Sequence, residues 1–210
     1  MDVKKFMPCE NNSCVIQNLM RMLKNSEPEK FVHGVLFCFG APTITGIKAA
    51  CMINFKYGEH DIKPVWNLNA RKWLEPYKIE CVLLNKFSKS KNALVLIFRR
   101  DLLKKALSNF KACELLKRFD YPAPDVDKCL DCLQRNFNFN NTIPHEVGIF
   151  LDYPPDDVEG FIKNRNSENL LTSGYWKVYG NVERAKKIFE KYKSAEYNAA
   201  QKILTGRQII

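Results

Sequence analysis

The chain has 210 residues, 46% of them hydrophobic, and carries a formal net charge of +10. That length holds one large domain or two small ones, and that apolar fraction builds a packed core, which excludes disordered and fibrous classes; the basic balance brings nucleic acid or an acidic surface into question as partners. No apolar run approaches the roughly 20 residues that span a bilayer, and residues 1–12 are too polar for a signal peptide, so a cytoplasmic protein without a membrane partner is expected, with a flexible tail over 1–12 and a single domain over 13–210.

Val15, Leu19, Met22 and Leu23 recur at helical spacing until residues 25–28 break the pattern. Residues 31–39 form a second apolar run, read as a helix that Pro42 stops, and residues 46–55 read as a strand. Residues 66–76, with Trp66, Leu68, Trp73 and Leu74, read as helical. Residues 79–87 and 93–99, rich in Val, Ile, Leu and Phe around a polar turn, predict an antiparallel hairpin. Asp101 is placed to cap a helix running to Ser108, because its carboxylate can accept from the free N–H groups of a first turn. Helices follow over 111–118 and 125–137, then two short ones joined by a tight turn over 145–163. Residues 175–179 read as a strand with Trp176 and Val178 on one side and Tyr175, Lys177 and Tyr179 on the other. Asn181 then caps a helix whose Val182, Ala185, Ile188, Phe189 and Tyr192 form one stripe. The fold class is α+β: a small, mainly antiparallel sheet covered by helices, with a C-terminal helical hairpin, strand and long helix.

Pro144-His145-Glu146, Gly148, Phe150-Leu151, Tyr153-Pro154, Asp157-Val158, Gly160-Phe161 and the run from Gly174 to Gly180, with Ala41-Pro42-Thr43 and Gly46-Ile47-Lys48 upstream, resemble the uncharacterised bacterial family labelled domain of unknown function 3793, over roughly residues 30–195. The resemblance implies a cytosolic protein of anaerobic Gram-positive bacteria with no established activity. The chain departs from that pattern where relatives carry His-Cys and it has Phe39-Gly40, where Asp152 replaces a common Gly, and where Asn181 replaces a common Asp. The first departure removes any redox or metal work of that pair, the second puts the turn in doubt, and the third preserves a helix cap.

The basic residues spread over 86–91, 99–105 and 186–202 with carboxylates among them, the pattern of a solvated surface. The helix pair over 145–163 has workable helix-turn-helix spacing, yet its second helix starts with Pro155, Asp156, Asp157 and Glu159, carboxylates that DNA repels and a helix N-terminus favours. DNA binding through this pair is not expected. Tyr175 and Tyr179 around Lys177 offer stacking surfaces for RNA bases, and a covered sheet face accounts for the same residues. Of the eight cysteines only Cys129 and Cys132 form a CxxC pair, which sits on an amphipathic pattern with no second pair or nearby His, so no metal site is expected.

The chain has no nucleophile elbow, P-loop, zincin helix or dinucleotide fingerprint. His33 lies in an apolar run and His60 in a polar loop; His145 is the one candidate for catalysis, against a capping or packing role at a helix start. Thr43, Thr45 and Lys48 beside Gly46 supply hydroxyls, N–H groups and an ammonium suited to an anion, and the same residues make an ordinary turn. The candidate ligand-binding residues are thus Thr43, Thr45, Lys48, His145, Lys177 and Tyr179. They point first to a non-catalytic module binding a small anionic ligand or a protein partner. The alternatives are an enzyme on a small metabolite, with His145 or Tyr179 as acid/base and Lys48 or Lys177 stabilising negative charge, and nucleic-acid binding through a basic surface. No cofactor is indicated.

Overall fold

Three antiparallel strands, β1 (Ala50–Phe55), β2 (Glu80–Leu83) and β3 (Ala93–Phe98), stand in the order β1-β3-β2, with Cys51, Ile97 and Cys81 abreast. They are seen in a computed structural model that describes residues 10–139, 143–164 and 169–207. Side chains alternate across the sheet, so Ile53, Phe55, Val95 and Ile97 enter one core while Ala50, Leu84, Leu96 and Phe98 enter another. The central strand is buried on both faces, which explains its unbroken apolar run.

Helices α1 (Glu10–Lys24), α2 (Pro28–Phe39) and α4 (Lys63–Leu74) cover the first face through Leu19, Leu23, Val32, Leu36 and Trp66. The single turn α3 (Ala41–Ile44) leads from α2 toward β1. Five helices serve the second face: α5 (Arg100–Leu107), α6 (Phe110–Lys117), α7 (Val126–Phe139), α8 (Val147–Phe150) and α9 (Pro155–Lys163), which contribute Leu103, Leu116, Leu133, Phe150 and Val158. A small ribbon, β4 (Thr172–Ser173) with β5 (Lys177–Val178), precedes the 23-residue helix α10 (Val182–Leu204). The first half of α10 holds a third core of Trp176, Val178, Ala185, Phe189 and Tyr192, and the helix packs along α1, α2 and α3. Among the described residues no helix is long and apolar enough to cross a membrane. The α+β class and the covered antiparallel sheet are as the pattern predicts.

Several local expectations need correction. The tail expected over 1–12 falls outside the described residues for 1–9, while residues 10–12 already belong to α1. The strand expected from residue 46 starts at Ala50, because the N–H groups of Ile47 and Lys48 turn back onto the Pro42 carbonyl. Likewise β2 stops at Leu83; the Asn85 side chain then closes the connection by accepting from Leu94 N–H and donating to the Asn92 carbonyl, both at 2.9 Å. Asp101 is not a cap: α5 begins one residue earlier, at Arg100, whose guanidinium binds Glu80 and Asp127, so Asp101 lies within the first turn. Asn181 does cap α10, accepting from Arg184 N–H at 2.9 Å, and Asn109 caps α6 in the same way.

The turn in the helical hairpin forms with Asp152 at its left-handed position. Asp152 adopts a left-handed φ of 61°, a conformation that Asp tolerates better than most side chains. Beside it Gly148 lets the two helices touch: a Cβ there would come within 2.8 Å of Val158 and 3.2 Å of Tyr153.

Asp157 locks this hairpin to β5. It is 3% exposed, and its carboxylate accepts from the Trp176 indole N–H at 2.8 Å and from the N–H groups of Tyr179 and Gly180 at 2.8 and 2.7 Å. Asp157→Ala leaves three donors without an acceptor and should lower the unfolding free energy by about 2–4 kcal/mol. Urea denaturation measures this; a near-neutral result would mean that the donors find other partners.

Candidate functional site

The hairpin and ribbon enclose a cavity of about 590 Å³. Its wall is mainly apolar: Val147 and Gly148 from α8, Tyr153 from the turn, Val158 and Phe161 from α9, and Trp176. Trp176 stacks on Tyr153 with centroids 4.9 Å apart, which fixes one side. The polar groups are His145, Lys177 and Asp157, and the Asp157 oxygens are already engaged by the three donors described above. His145 is exposed and stands edge-on to Phe161 at 5.1 Å, while the Lys177 ammonium lies 5.2 Å from the centroid of the same ring. The arrangement suits an apolar body with a negative end that meets a cation and an imidazole.

Tyr153 also borders a buried polar cluster around Lys48. That lysine is only 5% exposed, and its nitrogen lies 5.2 Å from the ring centroids of both Tyr153 and Tyr192. Among the described residues no carboxylate oxygen lies within ion-pair distance of it. Burial holds its ammonium below the usual lysine range, against the pull of Cys51, Glu196 and Asp152. Glu196 accepts from the Tyr175 hydroxyl at 2.8 Å, and burial raises its carboxyl to about 7, opposed by that hydrogen bond and by Lys48. Burial likewise pushes up the Cys51 thiol, which donates to the Phe39 carbonyl at 3.4 Å.

The six residues nominated from the sequence do not gather at one point. His145 and Lys177 line the apolar cavity together, and Lys48 lies behind Tyr153 in the polar cluster. Thr43 is fully buried, with a hydroxyl that has no hydrogen-bond partner among the described residues. Thr45 donates to the Ala41 carbonyl at 2.7 Å, and the N–H groups of residues 45–48 are consumed inside the turn, whose Thr43 and Ile44 carbonyls bind Arg99. This segment is a closed turn, not an open cradle of donors. The Tyr179 ring packs on Gly160, where a Cβ would approach it to 2.7 Å, and its hydroxyl is buried without a hydrogen-bond partner among the described residues.

The start of α9 is spent within the molecule: Asp156 pairs with Lys111, Glu159 with Arg118 and Lys163, and Asp157 with the ribbon. The CxxC pair lies on α7, where Cys129 is fully buried and burial raises its thiol to about 12. Among the described residues no three His, Cys, Asp or Glu side chains cluster as a metal site would require.

Tyr153, Tyr192 and Glu196 were not singled out from the sequence as site residues. The signal for Glu196 is its place on α10: Ala185, Phe189, Tyr192, Glu196 and Ala200 follow one another at helical spacing, which sets a carboxylate on the apolar stripe. No comparable signal marks Tyr153, whose neighbours Lys48 and Trp176 come from the turn before β1 and from beside β5.

A family model described as a protein of unknown function, DUF3793, matches residues 36–210, most of the chain. No curated protein and no solved structure matches.

The raised Glu196 carboxyl makes stability depend on pH in a defined direction. The folded protein keeps a proton that the unfolded chain releases near its ordinary value of 4.5, so the contribution of Glu196 is full below that value and is lost as pH rises through about 7. Glu196→Gln removes this titration. The unfolding free energy of the native protein relative to the variant should fall by roughly 3 kcal/mol between pH 4.5 and pH 8, measured by urea denaturation along the series. A pH-independent difference would show that Glu196 is ionised normally.

Proposed function

The chain belongs to the DUF3793 family, and from its own geometry we propose that the protein is a non-catalytic cytoplasmic module that binds a small amphipathic anion. The observation that carries this reading is the cavity of about 590 Å³ in which an apolar wall meets Lys177 and His145. The volume lies in the ordinary range for small-molecule sites, and burial of an apolar body there supplies most of the affinity. A carboxylate or sulfonate end would be oriented by the cation and the imidazole. Free thiols at all seven described cysteines are in keeping with a reducing compartment.

A second reading, an enzyme acting on a small metabolite, draws its support from buried Lys48 beside tyrosines and a carboxyl of raised affinity for protons. Against it, the proposed acid/base His145 lines the apolar cavity, whereas Lys48 lies on the far side of Tyr153 and the Tyr179 ring is packed on Gly160.

Octanoate and 1-octanol, each titrated calorimetrically into the protein, test the binding reading with one apolar tail and two different ends. Octanoate should bind more tightly, and Lys177→Ala should weaken it by about tenfold while leaving octanol unchanged. Equal binding of the two, or of octanoate to both proteins, would sink the proposal.

A further inference from the structure

A second concavity, a groove of about 920 Å³, runs between α5, the start of α6 and the first half of α10. Its charge is lopsided. Lys105 from α5 and Arg184 and Lys191 from α10 face it, with Asp152 as the one carboxylate in its lining. All three cations are exposed, and none makes an ion pair among the described residues, whereas ten other basic side chains do. Asp152 is influenced by both Lys105 and Arg184 but lies beyond pairing distance of either.

Two further features favour negative charge here. The eight-residue helix α6 begins in the groove wall: Asn109 and Ala112 line it, so the positive end of the helix dipole lies beside the cations. Tyr153 and Tyr192 line the same groove and bracket the buried Lys48 ammonium, which has no ion-pair partner among the described residues. Three cations held apart on two helices around a concavity are arranged to meet several oxygens of one ligand, while Ile149 and Ile188 offer it an apolar floor.

We propose that this groove is a binding site for a small molecule carrying a phosphate or diphosphate group, with Lys105, Arg184 and Lys191 as its charge-recognising residues. A diphosphate places its oxygens over a span that three separated cations can share, and the guanidinium of Arg184 offers paired donors to one phosphoryl group. The groove is separate from the apolar cavity, although Tyr153 borders both.

The test uses pyrophosphate as the probe, titrated into the full chain at physiological ionic strength. Lys105→Ala/Arg184→Ala/Lys191→Ala alters exposed side chains only and should weaken pyrophosphate by at least about tenfold. Asp152→Asn, which tolerates the left-handed backbone and removes the opposing charge, should tighten it several-fold. Lys177→Ala should leave it unchanged, so this proposal and the amphipathic-anion reading can fail separately. A control, Lys56→Ala/Lys72→Ala/Lys89→Ala, removes three exposed charges elsewhere. Equal loss in the control would reduce the effect to net charge and overturn the proposal, as would unchanged binding in the groove variant. Tighter binding of a single-stranded oligonucleotide, lost in the same groove variant with a steep salt dependence, would overturn it in favour of nucleic acid.

Discussion

The burial of β3 on both faces governs the rest of the molecule. Ala93, Val95, Leu96 and Ile97 are fully removed from water and Phe98 nearly so, and a fully buried Val, Leu, Ile or Phe is worth about 1.5–3 kcal/mol against exposure. A strand of this kind cannot stand at an edge or face solvent. It must be flanked by β1 and β2 and covered above and below, so helices are required on both sides of a sheet of only three strands. The small ribbon lies beside this assembly with its own core around Trp176, and both concavities border the contact between the two.

The basic composition resolves into different environments. Most exposed ion pairs, such as Lys111–Asp156 and Lys193–Glu190, contribute little to stability individually. Lys48 differs in kind, since taking an ammonium out of water costs more than two tyrosine faces return. Asp157 is the opposite case: a buried carboxylate whose three donors compensate its desolvation while fixing the geometry of an adjoining cavity. One buried charge is satisfied and holds structure; the other has no ion-pair partner among the described residues.

The sequence made the secondary structure legible where a single local signal sufficed. The unbroken apolar run of β3 predicts a buried strand, and Asn181 before an apolar stripe predicts a helix start. It misled where two signals stood a residue apart, as with Asp101, where ties from Arg100 to β2 and α7 moved the helix start. The alternation of residues 175–179 places Trp176 and Val178 correctly in the core, although only Lys177–Val178 pairs as strand. For the site, His145 and Lys177 were both nominated, but their shared cavity depends on the Asp157 tie between segments distant in sequence. Of the two readings weighed for Thr43, Thr45 and Lys48, an anion site and an ordinary turn, the backbone shows a turn whose N–H groups bind its own carbonyls. A buried lysine is the hardest residue to read from sequence, since Lys ordinarily marks the surface.

The packing of α10 against α1 and α2 bears on what counts as the folding unit. The family match begins at residue 36, inside α2, yet Leu19 and Leu23 from α1 and Phe31, Val32 and Val35 from α2 are buried in the same core as Ala200 near the far end of α10. A segment cut at the boundary of the match would keep α4 over this face but lose α1 and most of α2, leaving β1, β3 and α10 partly uncovered there. Helices α1 and α10 close this core like a clasp, so residues outside the stretch by which the family is recognised help complete it, and loosening either end should be felt at the other.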